Sequence, residues 1–366
     1  MTEVDERSTL VVLFGGAGAP AEHTTSCVSA AALAGAVDPD HHDVVAVGIT
    51  QQGRWVRTDT AHTVVGPGGA PALRAVGPQI DPAQLLLSTD EQPVVVFPLV
   101  NEIRASGPSV ALLCEVLDVA CVGADSVGSN LARDKSMTRT IAASIEIAQP
   151  AWTAVSPDSS LGSVHTAVHQ DLGGYPVFVK PAHFGYSVGI TKARSDSDLA
   201  DSLDAAFAWD DVVLVEAAVS GRELEVAVIG YEEPRTSVAV EVIPRSEFYT
   251  FEDKTAADGA QMVIPADLPT PVADELARSA RRICEVTRCL GTARVDFFYD
   301  EGGRGLVFNE VNNVPALTHR SMVPRAWAAS GTTMPELVDE LIRIAMARHG
   351  SHRRVRMGER SRELSV

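Results

Sequence analysis

Apolar positions in this chain fall in short β-branched runs separated by longer stretches of helical spacing. Residues 9–14 (TLVVLF), 43–48 (DVVAVG), 93–97 (PVVVF) and 119–123 (VACVG) are such runs, the mark of buried strands. An alanine-rich helical stretch follows Thr24-Thr25-Ser26, and a second helix is predicted near 108–118. Strands alternating with helices imply a parallel sheet covered on both faces. Residues 66–90 are rich in Gly and Pro and read as an irregular excursion.

Near residue 130 the pattern changes. A helix is expected from Asp134-Lys135, then strands at 176–180 (PVFVK) and 212–216 (VVLVE) with a polar helix between them. Past Glu223 strands crowd together at 224–230, 237–243, 292–299 and 305–312, interrupted by a helix over 272–289. The polar, basic tail from Gly350 is expected to fray. The fold class is therefore α/β passing into α+β. Its expected parts are an N-terminal α/β domain (1–128), a central subdomain (129–219), a C-terminal subdomain (220–349) and a disordered basic tail (350–366).

Composition narrows the function. A chain of 366 residues suggests two or three packed subdomains. Its formal charge of −18 argues against general nucleic-acid binding, which needs basic patches to displace phosphate counterions. A phosphate site remains open, since it needs only a few local cations and oriented amides. The cysteines Cys27, Cys114, Cys121, Cys284 and Cys289 form no CxxC pair or zinc-finger spacing, and read as reduced, buried small hydrophobes. The acidic N-terminus is no signal peptide and no apolar run approaches a bilayer span, so no membrane partner and a cytoplasmic setting are expected.

The most informative stretch is ARVDFFYDEGGRGLVFNEVNN, residues 293–313, two β-rich runs around a glycine-rich turn. A turn centred near Gly303 would set Asp296 opposite Glu310 and Arg294 opposite Asn312, all four on one face. Two opposed carboxylates repel each other and call for a cation. Two carboxylates and an amide oxygen are hard donors suited to Mg²⁺. An isolated acidic solvent face is the plainer alternative. The apolar flanking positions (Val295, Phe297, Phe308, Val311) favour a polar cleft and the metal.

Three further stretches carry weaker signals. In VFVKPAHFGYSVGI (177–190) a buried strand ends in Lys180 and a turn with Gly185, Ser187 and Gly189 follows. Glycines let backbone N–H groups approach phosphate, although the stretch lacks the Walker A pattern and such a loop alone is more often a plain hairpin turn. In VVLVEAAVSGRELEVAVIG (212–230) a connector, Ala217-Ala218-Val219, could offer backbone groups to an adenine edge between Glu216 and Glu223; alone it reads as a plain turn. Gly15-Gly16-Ala17-Gly18 is not a GxGxxG fingerprint, which disfavours a Rossmann dehydrogenase.

Taken in order, these pieces resemble the D-alanine–D-alanine ligases, the dipeptide-forming branch of the ATP-grasp superfamily. The likeness runs from about residue 9 to 345, through LFGG, AEH, VGADSVGSNLARDKSMTR, VFVKPAHFGYSVGI, VLVEAAVSGRELEVAV, EFYTFEDK, VIPADLP, ARVDFFYD, NEVNNVPALTHRS and PEL. The resemblance implies an ATP-grasp fold behind an N-terminal substrate domain, and an ADP-forming ligase joining a carboxylate to an amine through an acyl phosphate. ATP would be held by Lys135, Lys180, Glu216, Ala218, Val219, Glu223, Lys254 and Phe298. Two Mg²⁺ ions, with Mn²⁺ able to substitute, would be held by Asp296, Glu310 and Asn312. Arg294 would stabilise the oxyanion, Glu22 would bind the first substrate's ammonium group, and Ser321 the second substrate's carboxylate. Residues 245–265 would form a closing loop that excludes water. The implied partners are small amino acids, with a homodimer as the common family assembly.

The departures gather round the first-substrate pocket. Asn101-Glu102 stand where the family has His-Gly, Tyr186 replaces a serine beside Ser187, Thr255 replaces a tyrosine, and Ala316 replaces a glycine. That serine and tyrosine join the first-substrate glutamate in one hydrogen-bonded set. These changes lead to the expectation of altered amino-acid substrates, as in antibiotic biosynthesis. The alternatives are a housekeeping D-alanine–D-alanine ligase, a phosphotransferase on the same fold, and a non-catalytic nucleotide-binding module.

Overall fold

Residues 8–15 are apolar on both sides of the strand they form, so β1 (Ser8–Gly15) needs cover on both faces and lies mid-sheet. The computed structural model describes residues 7–82, 92–100, 109–185, 187–247 and 259–356. After β1 come α1 (Pro20–Ala36), β2 (His42–Ile49), β3 (Trp55–Thr58), β4 (Val64–Val65), β5 (Pro71–Ala72), β6 (Val94–Pro98), α2 (Ser109–Val116) and β7 (Ala120–Cys121). The sheet order is β3-β2-β1-β6-β7, parallel as expected except for β3, which pairs antiparallel with β2. Alternation along β1 serves two cores: Leu10, Val12 and Phe14 pack with Leu33 of α1, Val11 and Leu13 with Val110 and Cys114 of α2. The Gly/Pro-rich stretch opens with the turn that joins the small β4–β5 ladder and supplies its second strand.

The central part comprises α3 (Ser126–Arg133), α4 (Lys135–Ser144), β8 (Trp152–Val155), α5 (Leu161–Gln170), β9 (Val177–Pro181), β10 (Thr191–Ala193), α6 (Asp196–Phe207) and β11 (Val213–Ala217). Its antiparallel sheet, ordered β10-β9-β11-β8, has a core of its own around Val177, Val179, Val213 and Val215. Asp134 caps α4 by accepting from the amides of Ser136 and Met137, so the helix begins at Lys135.

The remaining elements are β12 (Arg222–Gly230), β13 (Arg235–Thr236), β14 (Val240–Ile243), β15 (Gln261–Val263), α7 (Thr270–Val286), β16 (Gly291–Asp300), β17 (Gly305–Asn312), α8 (Met322–Ala329) and α9 (Met334–Arg356). The sheet order is β15-β14-β12-β16-β17, with β13 beside β12. The strand expected over 237–243 is shortened to β14 at 240–243, and Ser237 ahead of it accepts from the Ala227 amide through its hydroxyl. Helix α9 continues to Arg356, past the expected start of the tail at Gly350, and its Leu337, Val338 and Leu341 complete the N-terminal core.

Hairpin β16–β17 has the expected pairs at its far end, Asp296 opposite Glu310 and Arg294 opposite Asn312. The turn is offset from that reading, since Asp300 pairs with Gly305 and Phe297 with Phe308. A bulge at Asn309 absorbs the difference, which is why the site pairing and the turn pairing coexist.

Candidate active site

A cavity of about 1120 Å³ lies where the three parts meet. Its walls include Lys135 at the start of α4, Arg294 from β16, Glu310 and Asn312 from β17, and Ala316 and Ser321 from the segment leading to α8. The loop after β9 contributes His183, Phe184, Gly185, Val188 and Gly189.

Charge at the floor is arranged in layers. Arg294 makes a bidentate pair with Asp296, Nε to Oδ1 at 2.8 Å and Nη2 to Oδ2 at 2.7 Å. Its Nε also lies 3.5 Å from Glu225 Oε1 and its Nη2 4.0 Å from Glu310 Oε1. Burial works against the Arg294 charge, but Asp296, Glu225 and Glu310 outweigh it and hold the guanidinium pKa well above its usual range. Lys135 Nζ donates to the Phe184 carbonyl at 2.5 Å and lies 3.8 Å from Glu310 Oε2. Asp296 is 2% exposed, so the acidic face is no ordinary solvent face.

One layer further in, Glu216 is clasped by Lys180 and Arg139, and all three are buried. Burial would raise its pKa, yet Arg139 and Lys180 hold the carboxyl below its ordinary value. Glu223 and Phe298 are direct cross-strand partners on β12 and β16, and the Ala218 amide donates to the Pro176 carbonyl at 3.2 Å. Ala218, Val219, Glu223 and Phe298 do not line the cavity that holds Arg294.

Glu22, on the first turn of α1, is also buried rather than on the cavity wall, where its neighbours Ala21 and Thr25 stand. Among the described residues neither carboxylate oxygen has a hydrogen-bond partner of normal geometry. Burial pushes its pKa up to about 7, offset in part by the Ala19 amide and by Arg133 and Lys135. Ser187 sits in the left-handed region with φ 61°. Ser321 caps α8 by position, and its hydroxyl meets that of Thr318 at 2.7 Å. Asn101, Glu102, Tyr186, Lys254 and Thr255 lie outside the described residues.

Three participants escaped the sequence reading. Glu225 stands directly opposite Asp296, and its signal was the strand period: it shares a face with Glu223. Arg139 lies one helical turn after Lys135, the i,i+4 spacing that puts both cations on one side of α4. His183 lies between two carboxylates that are distant in sequence, which no local pattern reveals.

Asp296, Glu310 and Asn312 offer hard oxygen donors from two paired strands, so their chemistry fits a divalent cation bound together with phosphate. Among the described residues no group of three His, Cys, Asp or Glu side chains could hold a metal ion by itself. All five cysteines are free and buried, and among the described residues no helix is long and apolar enough to cross a membrane.

Two antiparallel subdomains closing a charged cleft beside a parallel α/β domain define an ATP-grasp ligase. Sequence profiles described as "D-ala D-ala ligase N-terminus" and "D-ala D-ala ligase C-terminus" match residues 9–124 and 141–343. The chain belongs to the D-alanine–D-alanine ligase family, whose members are ATP-dependent, ADP-forming C–N ligases. It is 36% identical over 353 residues to the D-alanine–D-alanine ligase of Chlorobium luteolum, covering 93% of this chain and 97% of that protein. It is 33% identical over 345 residues to that of Clostridium acetobutylicum, covering 93% and 99%. The solved D-alanine–D-alanine ligase of Coxiella burnetii superposes with a TM-score of 0.80 at 26% identity, covering 98% of this chain and all 100% of that one. The VanG D-Ala:D-Ser ligase of Enterococcus faecalis has the same fold, with a TM-score of 0.76 at 24% identity, covering 93% and 100%.

Proposed function

We propose that this enzyme joins two molecules of D-alanine at the expense of ATP. The observation that carries the reading is the convergence of Arg294, Lys135, Glu310, Asn312 and Ser321 on one cavity, in a chain whose relatives are D-alanine–D-alanine ligases. Those relatives favour D-alanine over the altered substrates expected from sequence. Of the departures behind that expectation, only Ala316 falls within the described residues, as an ordinary small residue of the wall.

The first D-alanine would present its ammonium group to Glu22 and its carboxylate to the γ-phosphoryl group of ATP. Attack forms the acyl phosphate and releases ADP. The second D-alanine, its carboxylate held near Ser321, attacks the acyl carbon with its free amine. Arg294 is the cation on the cavity wall suited to the tetrahedral oxyanion, and collapse expels phosphate. Lys135 and Lys180 are suited to the polyphosphate, with Glu216 and Arg139 fixing Lys180 in place. Asp296, Glu310 and Asn312 would hold Mg²⁺, which neutralises phosphate charge when bound. ATP use and the buried free thiols support a cytoplasmic setting.

The test is product analysis of purified enzyme with MgATP and D-alanine. The expected result is ADP, phosphate and D-alanyl-D-alanine in equal amounts. Inert D-alanine, or a stable phosphate ester formed without an amine, would overturn the reading.

A further inference from the structure

The loop after β9 is gripped by a side chain that the ligase chemistry does not use. His183 Nδ1 lies 3.1 and 3.0 Å from the two carboxylate oxygens of Asp210, and its Nε2 lies 3.4 Å from Asp134 Oδ2. The His183 amide also donates to Asp210 Oδ2 at 2.8 Å. A ring with a carboxylate at each nitrogen can donate to both only when doubly protonated. With both nitrogens committed, the ring is not itself a phosphate ligand.

Both carboxylates belong to elements of the nucleotide cleft. Asp134 caps α4, whose first residue is Lys135, and Lys135 reaches back to the loop through the Ala182 and Phe184 carbonyls. Asp210 precedes β11, which carries Glu216, and its neighbour Trp209 meets Phe184 edge-on with ring centroids 5.7 Å apart. Asp134 and Asp210 are the charged groups facing the ring from the two elements packed against it. Without the imidazolium they leave two negative charges beside a loop that must receive a polyphosphate.

We propose that His183 is a positioning residue, an imidazolium clasp that locks the glycine-rich loop to the start of α4 and to the approach to β11, and so sets ATP affinity. The inference rests on the proposed ATP reading of this cleft. Asp134 and then Asp210 raise the ring's pKa to about 9, against the opposing effect of burial. A histidine raised above its ordinary 6.5 contributes fully below that value and loses its contribution as pH rises through about 9. The clasp is therefore closed at neutral pH and opens in mild alkali.

The test combines an NMR titration of the His183 ring with calorimetric binding of the non-hydrolysable analogue AMP-PNP with Mg²⁺, from pH 7 to 10, on the full chain. The expected wild-type result is a ring titrating near 9 and an analogue affinity falling through the same range. His183→Gln should weaken binding by about tenfold at pH 7.5, the loss of one charge-assisted contact, and flatten that pH dependence. The KM for D-alanine should move less than that for ATP. Should His183→Gln fail to fold, Asp210→Asn keeps the ring and should lower both its pKa and the analogue affinity. A ring titrating near 6.5, or a folded variant with wild-type affinity and pH dependence, would overturn the clasp. A ring titrating near 9 in an enzyme that binds no AMP-PNP would overturn the ATP reading instead.

Discussion

At the residue scale, Glu22 and Arg294 solve opposite electrostatic problems. Arg294 is part-buried and surrounded by carboxylates, so its charge is secure. Glu22 is buried, and among the described residues its carboxylate has no hydrogen-bond partner of normal geometry, so burial dominates its ionisation. Raising a carboxyl from 4.5 to about 7 makes the folded chain bind its proton more tightly than the unfolded chain. Stability from this group is full below pH 4.5 and is lost as pH rises through about 7, a change of about 3 kcal/mol. Glu22→Gln is expected to remove that slope from urea denaturation midpoints between pH 5 and 8. It should also raise the KM for the first D-alanine by one to two orders of magnitude, roughly the loss of a buried charged contact. A variant with the wild-type slope would show that Glu22 ionises freely.

At the scale of elements, α4 links the cavity to the buried charges behind it. Lys135 faces the cavity and Arg139, one turn on, is sunk against Glu216 of β11. Arg139→Met would leave Glu216 buried with Lys180 as its remaining cation, and should cost about 3 kcal/mol in urea denaturation. The loss should be full above pH 4.5 and shrink as pH falls below it, because the Glu216 carboxyl is held below its ordinary pKa and its contribution vanishes when protonated. A loss under 1 kcal/mol would mean the pair is solvated. These elements also mark what the sequence could say. The partners Asp296–Glu310 and Arg294–Asn312 were legible because strand period and turn composition are local. The bulge at Asn309 was not, since it answers to packing rather than to any residue preference. Glu225 was readable in principle from the period of β12, but only once β12 was known to lie beside β16. The His183 clasp joins positions 134, 183 and 210 and exists only in the folded chain.

At the scale of the whole molecule, a chain of charge −18 concentrates cations where anions must bind. Arg133, Lys135, Arg294, Arg320 and Arg325 share the wall of one cavity. Helix α9 leaves the C-terminal subdomain and packs Leu337, Val338 and Leu341 into the N-terminal core. The two ends of the chain therefore share one apolar core, while the central sheet keeps its own. Leu341→Ala is expected to cost about 2–5 kcal/mol and to lower the melting temperature of the N- and C-terminal parts together. Separate transitions for those parts would contradict a shared core.

Oxygen transfer reads the acyl-phosphate route directly. Enzyme is supplied with MgATP and D-alanine labelled with ¹⁸O in its carboxylate, and the released phosphate is examined by mass spectrometry. Ligation through an acyl phosphate moves one carboxylate oxygen into phosphate for each dipeptide formed, and that is the expected result. Unlabelled phosphate, or label retained in a phosphorylated product, would contradict it.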